Sequence, residues 1–430
     1  MSNRETRVGI KWTTYSTIVL MVVGVLKISI LTRYLVASDF GVVSLVTFVL
    51  GFVNLFMDVG ITSAILHKQD ISNNHYSSLY WLNIFFSILI FFILYILSGP
   101  ISRFYSEPRL EPLISIMATS ICFSALGNQF KTIKQKDLKF KFIAVVEILV
   151  ALGSLLLSVA LAILGYGILS LIYSTLFQYL LTNIIFFVYG CRNHNFLHFK
   201  LSDTYPYLKI GIYQVGGQIV NYFSKDFDVL LIGKFFGVDV LGGYSLAKQL
   251  VLRPMSVINP IVARIGAPIL SKLQNDSSLL KDAYLKFFNI VSTINFVSYL
   301  LLALFSYPIV LILYGSQFTN ITIYVQILCI YMFLRSLNST VGSLVIATGK
   351  TNYEFYWNLV VLFVSPLPVF LGSQISILAV TLAMTICMVI LSILCWKYLI
   401  FPMIKVSWKD YLGFAKPNIS QLLKMLKSLK

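Results

Sequence analysis

Charge is what this sequence has least of. Only 11% of its 430 residues are Asp, Glu, Lys or Arg, acids number 16 against 33 bases, and mean hydropathy is +0.85. A soluble domain carries about a quarter of its residues charged, so the scarcity excludes a chain of ordinary globular domains. Cysteine is thin as well. Cys122, Cys191, Cys329, Cys387 and Cys395 are scattered, without CxxC spacing or clustered His partners, which argues against a disulfide framework and a metal site. Three catalytic signatures are missing: GxxxxGK[ST], HExxH and GxSxG. The turn Thr348-Gly349-Lys350-Thr351 has Leu344 where a phosphate-binding loop requires glycine. A nucleotide site is therefore not expected in this chain, and no cofactor is implied.

What is abundant is apolar sequence in long runs. About 20 apolar residues cross the hydrocarbon core as a helix, and twelve runs meet or approach that length: 12–35, 41–57, 79–97, 113–130, 142–164, 167–189, 208–233, 241–269, 284–306, 321–347, 353–371 and 375–398. The fold class expected is all-α, a polytopic membrane protein of about twelve transmembrane helices. The head, with Arg4, Arg7 and Lys11, carries no cleavable signal pattern and is expected to stay attached.

Basic residues set the orientation, because loops rich in Lys and Arg stay on the cytoplasmic side. With the N-terminus inside, only Arg33, Arg103, Arg109 and Lys234 fall in outer loops and six bases fall within spans; the remainder of the 33 lie inside. Both termini are thus expected in the cytoplasm. The net charge of +17 and the cluster Lys131, Lys134, Lys136, Lys139 and Lys141 are explained by that retention, without nucleic acid as a partner. Outer loops are short, the longest being roughly 98–112, which leaves no room for an external catalytic domain.

A shift of 201 residues superimposes Arg33 on Lys234, Gly41 on Gly242, Ser44 on Ser245 and Leu45 on Leu246. Six helices, an even number, separate the copies, so the repeats have parallel orientation about an axis along the membrane normal. The expected domains are six-helix lobes at 1–200 and 201–400 with a cavity between them. A cytoplasmic basic tail follows at 401–430, in which Leu422, Leu423, Leu426 and Leu429 oppose Lys424, Lys427 and Lys430 as in an interfacial helix.

Charged and amide groups inside spans carry the functional signal, since each is costly in hydrocarbon and normally faces protein or water. In the seventh run Gln214, Gln218, Asn221, Lys225 and Asp228 recur every three or four residues and share one helical face. That stripe is expected to line a hydrated cavity, Asp228 being structural and paired with Lys225. The eighth run repeats the pattern with Ser245, Gln249, Arg253, Ser256 and Asn259, adds Lys248, and contains Pro254 and Pro260, which should kink it. Lys27 and Arg335 lie near mid-membrane without an acid in their own helices. Within the spans six cations (Lys27, Lys225, Lys248, Arg253, Arg264, Arg335) face three acids (Glu147, Asp226, Asp228). A cavity with surplus positive charge suits an anionic cargo, and Arg grips phosphate oxygens through paired hydrogen bonds.

Two stretches in the first half, LTRYLVASDFG (Leu31 to Gly41) and FMDVGITSAILHKQDIS (Phe56 to Ser72), resemble the N-terminal signature of bacterial polysaccharide flippases. In the second half NYFSKDFDVLLIGKFFGVDVLGGYSLAKQL (Asn221 to Leu250), PILSKLQ (Pro268 to Gln274) and ATGKT (Ala347 to Thr351) resemble the colanic-acid exporter branch. That branch belongs to the polysaccharide-transporter family of the multidrug/oligosaccharidyl-lipid/polysaccharide (MOP) exporter superfamily. The likeness runs from about residue 8 to 400. Lys234 stands where the pattern more often has Arg.

The resemblance implies a MOP-type fold in the bacterial inner membrane and alternating access around a cationic cavity. The implied cargo is an undecaprenyl-diphosphate-linked oligosaccharide, moved outward for O-antigen, capsule or exopolysaccharide assembly beside a polysaccharide polymerase and a chain-length regulator. The diphosphate contacts map by chemistry onto Lys27, Lys248, Arg253 and Arg335. A proton or sodium ion would be the coupling ion, and the sequence does not choose between them. Competing readings are a multidrug exporter of the same superfamily, which favours buried carboxylates over cations, a membrane polymerase, ligase or glycosyltransferase, which displays a large outer loop, and a scaffold without transport.

The charge asymmetry makes a direct prediction. A cysteine introduced at Lys139 is protected from a membrane-impermeant thiol reagent applied to intact spheroplasts and reacts once the membrane is permeabilised; labelling from outside reverses the topology.

Overall fold

A computed structural model of the chain describes residues 3–57, 62, 65–66, 71–193 and 198–418. Where water is excluded, a helix satisfies its own backbone donors and acceptors, and among the described residues every regular element is helical. The chain runs α1 (Asn3–Leu31), α2 (Ala37–Met57), α3 (Asn73–Tyr105), α4 (Leu110–Lys136), α5 (Phe140–Ile163) and α6 (Leu169–Asn193). A continuous element, Tyr205–Ser271, follows, broken at Gly237 into α7 (205–236) and α8 (238–271). Then come α9 (Ser277–Leu304), α10 (Ser316–Thr348), α11 (Thr351–Ser373), α12 (Ile377–Ile404) and the short α13 (Trp408–Ala415). Among the described residues eleven helices are long and apolar enough to cross a membrane, and the one at Asn221–Pro260 is broken at Gly237, between the seventh and eighth expected runs.

Gly237 adopts φ 77° and ψ 179°, a conformation that a side chain resists, so the helix breaks there without a loop. Pro254, Pro260 and Pro268 sit inside α8, yet the non-helical residue within Tyr205–Ser271 is Gly237. The hydroxyls of Tyr299 and Tyr314 donate to the α8 carbonyls of Val251 (3.2 Å) and Leu246 (3.4 Å).

The described residues form two compact units, Met1–Gly242 and Gly243–Lys430. That division follows packing, whereas the lobes expected at 1–200 and 201–400 follow the count of spans. In the first unit α7 lies against α2: the Tyr222 hydroxyl donates to Phe48 O at 2.6 Å, and Phe48, Phe52, Tyr222 and Phe223 pack ring on ring. Lys234 at the end of α7 donates to Phe104 O in α3. A core of Tyr80, Phe130, Ile143, Val150 and Phe186 joins α3 to α6. The connector before α7 is pinned to α3, with Ser77 donating to His198 O and Lys200 N donating to Ser78 Oγ. His198 Nε2 lies 2.9 Å from Asp203, which keeps that carboxyl below the usual range.

In the second unit Tyr284, Phe288, Leu344, Cys395 and Ile400 surround Tyr411 of α13, whose ring stacks 4.7 Å from Phe288. Asn289 and Ser292 of α9 donate to the carbonyls of Phe414, Ala415 and Lys416. The tail is thus docked as far as 418; the amphipathic segment expected beyond it lies outside the described residues. Asp276 caps α9 by accepting from the Leu279 and Ser278 amides, which lowers its pKa. Large apolar side chains elsewhere face outward, among them Ile312, Phe363 and Leu156, as a lipid-bathed surface requires.

The 201-residue repeat reappears as a contact. A methyl group on Gly41 would stand 1.9 Å from Val238 O, and one on Gly242 would stand 1.8 Å from Ala37 O. Ala37 and Val238 are themselves repeat equivalents, so the two close approaches are reciprocal, each glycine receiving the backbone of the other's helix start. Small residues allow such backbone contact in membranes. Gly41→Ala and Gly242→Ala should each lower thermal stability by about 1–3 kcal/mol through overpacking. Gly342→Ala, where nothing lies within 4 Å, should leave it unchanged or raised. The measurement is the melting temperature of each purified variant, and equal melting of all three removes the close-packing argument.

Candidate functional site

The basic cluster after the fourth span is not a free loop. α4 continues to Lys136, beyond the expected end at 130, because its ammonium groups find partners. Lys131 pairs with Glu147 of α5 at 2.7 Å, Lys134 is 5% exposed beneath the Tyr189 ring and hydroxyl, and Lys136 donates to the Tyr76 hydroxyl at 3.3 Å. Apolar stems and aromatic acceptors let lysines extend a helix toward the membrane edge.

Lys27 is satisfied inside the first unit. Its Nζ donates to Ser154 Oγ at 3.0 Å, and Ser154 Oγ donates onward to Ser174 O at 2.7 Å. Along α7, Gln218, Asn221 and Lys225 are exposed, whereas Asp228 one turn further is 3% exposed. The Gln214 and Arg264 side chains lie outside the described residues. Lys225 and Asp228 each make interactions of their own.

The other three candidate cations are in the second unit. Lys248 is 5% exposed and engaged, and Gln249 beside it is half-buried. Arg253 and Arg335 are half-buried, and neither has a carboxylate within ion-pair distance among the described residues. Arg335 stands in the last turn of the helix Thr322–Asn338, with the Tyr331 hydroxyl 3.5 Å from Nη1. Around it Asn338 donates to Ser392 Oγ at 3.1 Å and Ser339 donates to Asn259 Oδ1 at 3.3 Å, so the polar positions of α8, α10 and α12 meet. Among the described residues no cluster of His, Cys, Asp and Glu could hold a metal ion.

Two cavities in the first unit were not signalled by any motif. One, of about 500 Å³, is lined by amides, hydroxyls and the Lys131–Glu147 pair from α1 to α6. The other, of about 690 Å³, is apolar and lined by α2, α3 and α7, with Phe52, Phe86, Leu94, Phe223 and Leu230 on its walls.

This architecture defines a fold class, the all-α MOP-type fold of multi-span membrane proteins. The chain superimposes on the lipid II flippase MurJ in an inward closed conformation with a TM-score of 0.78 at 18% identity, covering 94% of this chain and 90% of that one. It superimposes on an inward-facing multidrug resistance MATE family transporter at 0.72 and 14% identity, over 89% and 94% of the two chains. Within the class the assignment is narrower: residues 30–323 match the family described as polysaccharide biosynthesis protein, and the chain belongs to it. It is 30% identical to the amylovoran biosynthesis protein AmsL of Erwinia amylovora over 81% of this chain and 91% of that protein. It is 28% identical to the lipopolysaccharide biosynthesis protein WzxC of Escherichia coli (strain K12) over 96% and 84%.

Asp228 is a buried carboxylate that makes interactions of its own within the protein, and a carboxylate at such a site is held only where its oxygens are satisfied. Asp228→Asn should cut folded membrane yield or transport cycling, read by fluorescence-detected size exclusion beside a transport assay. Normal yield and transport with tighter cargo binding would instead make Asp228 a residue that repels the cargo.

Proposed function

We propose that this chain is a flippase. It moves undecaprenyl-diphosphate-linked oligosaccharide repeat units from the cytoplasmic to the outer leaflet of the bacterial inner membrane, by alternating access, for surface polysaccharide assembly. Both termini are cytoplasmic, the six-helix lobes at 1–200 and 201–400 are the moving bodies, and polymerase and chain-length regulator receive the product. The chain itself performs no chemistry on the sugar. Membership in the polysaccharide biosynthesis family supports this reading, as do an apolar crevice suited to a polyprenyl chain and a polar interior suited to its head.

The observation that carries the proposal is the pair Arg253 and Arg335, guanidinium groups on membrane helices without a carboxylate partner among the described residues. A diphosphate is the counter-charge they lack, and a planar fork matches its oxygens. Lys27 and Lys248 add positive charge, although Ser154 already holds the first and the second is deeply buried. The multidrug-exporter reading shares the fold, but it supplies no anion for these arginines.

Arg253→Lys and Arg335→Lys keep the charge and lose the fork, so complementation of a flippase-null strain should weaken in part. Arg253→Ala and Arg335→Ala should nearly abolish it at normal membrane yield, because removing an unpaired cation relieves a desolvation cost instead of adding one. Full complementation by both alanine variants refutes the diphosphate clamp. Loss of transport in step with loss of yield returns both arginines to a structural role.

A further inference from the structure

The polar cavity of the first unit has a composition that the anion-binding reading does not use. Asn54, Asn83, Asn128, Thr175, Gln178 and Thr182 line it, drawn from α2, α3, α4 and α6. Thr175, Gln178 and Thr182 recur at spacings of three and four and share one face of α6. Among the described residues none of Asn54, Asn128, Thr175, Gln178 and Thr182 spends its side chain on a hydrogen bond within the protein, and the Asn83 side chain, 5% exposed, leaves Oδ1 without a partner. Helix-to-helix hydrogen bonding therefore does not account for them. In a membrane interior each unpaired amide costs a few kcal/mol, and such groups are retained where a ligand or water satisfies them.

Charge and hydrogen-bonding polarity decide which ligand. The two charged lining residues, Lys131 and Glu147, neutralise one another at 2.7 Å, so the cavity has no surplus cation for phosphate. An ionised diphosphate also offers only acceptors, and Asn83 Oδ1 is an acceptor that needs a donor. Sugar hydroxyls donate and accept, as do the carboxamides and threonine hydroxyls around them. A volume of about 500 Å³ lies within the range of small-molecule sites. The lining lies toward the end of the unit where α2 and α4 finish, with Asn54 near the end of α2 and Lys131 near the end of α4. In the proposed topology that end is cytoplasmic, the side from which cargo loads.

We propose that this cavity is a glycan subsite, holding uncharged sugar of the lipid-linked oligosaccharide by amide and hydroxyl contacts while the diphosphate is bound by other residues. The inference rests on the flippase reading and deepens it. Gln178→Met and Thr182→Val remove hydrogen-bonding groups at nearly constant volume and break no bond within the protein, so both variants should fold; yield and melting temperature confirm this.

The test measures binding by the full chain in nanodiscs to two probes: undecaprenyl diphosphate, and the undecaprenyl-diphosphate-linked oligosaccharide extracted from the strain that carries the gene. Each variant should lose about tenfold in affinity for the sugar-bearing lipid and bind the sugar-free lipid as before. Arg335→Ala should weaken both. Equal losses for the two lipids, or no loss for either, overturns the glycan subsite. The same follows if Glu147→Gln shifts the pH dependence of transport while Gln178→Met leaves glycolipid affinity intact, since the cavity is then a proton path. If the unmodified chain binds neither lipid, the flippase reading itself fails; if it binds both and the variants discriminate, both stand.

Discussion

In hydrocarbon no water competes for hydrogen bonds, and every feature of this chain is a response to that constraint. Backbone groups close on themselves within helices, which is why the described elements are helical and joined by connectors as short as 349–350. The break between α7 and α8 takes a single glycine, so few backbone amides are left without a helical partner there. Close approach of backbones at Gly41 and Gly242 follows from the same cause. Without a hydrophobic force between helices in lipid, packing must come from van der Waals fit, and fit is tightest where no side chain intervenes.

The constraint also sorts the charges. Lys131, Lys134 and Lys136 are held by a carboxylate and two phenols, and Lys27 by a serine whose hydroxyl in turn donates a hydrogen bond to a backbone carbonyl. These lysines are accounted for by the protein itself. Arg253 and Arg335 are half-buried and have no carboxylate within ion-pair distance among the described residues, and a cation on a membrane helix normally faces protein or water. The four candidate cations therefore differ: Lys27 is hydrogen-bonded to Ser154, Lys248 is deeply buried, and the two arginines are half-buried. Geometry places Lys27 in a protein-internal hydrogen bond, and it leaves the arginines as the groups whose charge is unspent.

Spans were legible because a 20-residue apolar run is a strong signal, and the junctions at Gly237 and around 106–109 fall where polar residues interrupt hydropathy. The end of α4 was not legible, because Lys131 to Lys136 read as solvated loop until Glu147, Tyr189 and Tyr76 arrive from other helices. The repeat could be read from four matched positions, but its meaning could not. Only the structure shows Gly41 against Val238 and Gly242 against Ala37. The polar cavity was invisible for a further reason: most of its helices contribute one to three polar groups within otherwise apolar sequence, so no window of any one helix stands out. The stripe on α7 does stand out, because its polar residues recur every three or four positions within one helix.

An amphiphile with a diphosphate between an apolar chain and a sugar presents three chemistries that no single surface can satisfy. Apolar walls would strand the phosphate, unpaired arginines would hold any anion regardless of sugar, and a neutral amide lining would discriminate sugars without gripping charge. Specificity demands the last of these, because hydrogen-bonding groups left unpaired by a wrong sugar carry a penalty that surplus positive charge does not. The charge on the phosphate can supply affinity common to all such lipids. A neutral hydrogen-bonding surface dispersed over several helices is what such discrimination needs, and Asn54, Asn83, Asn128 and Gln178 have that character.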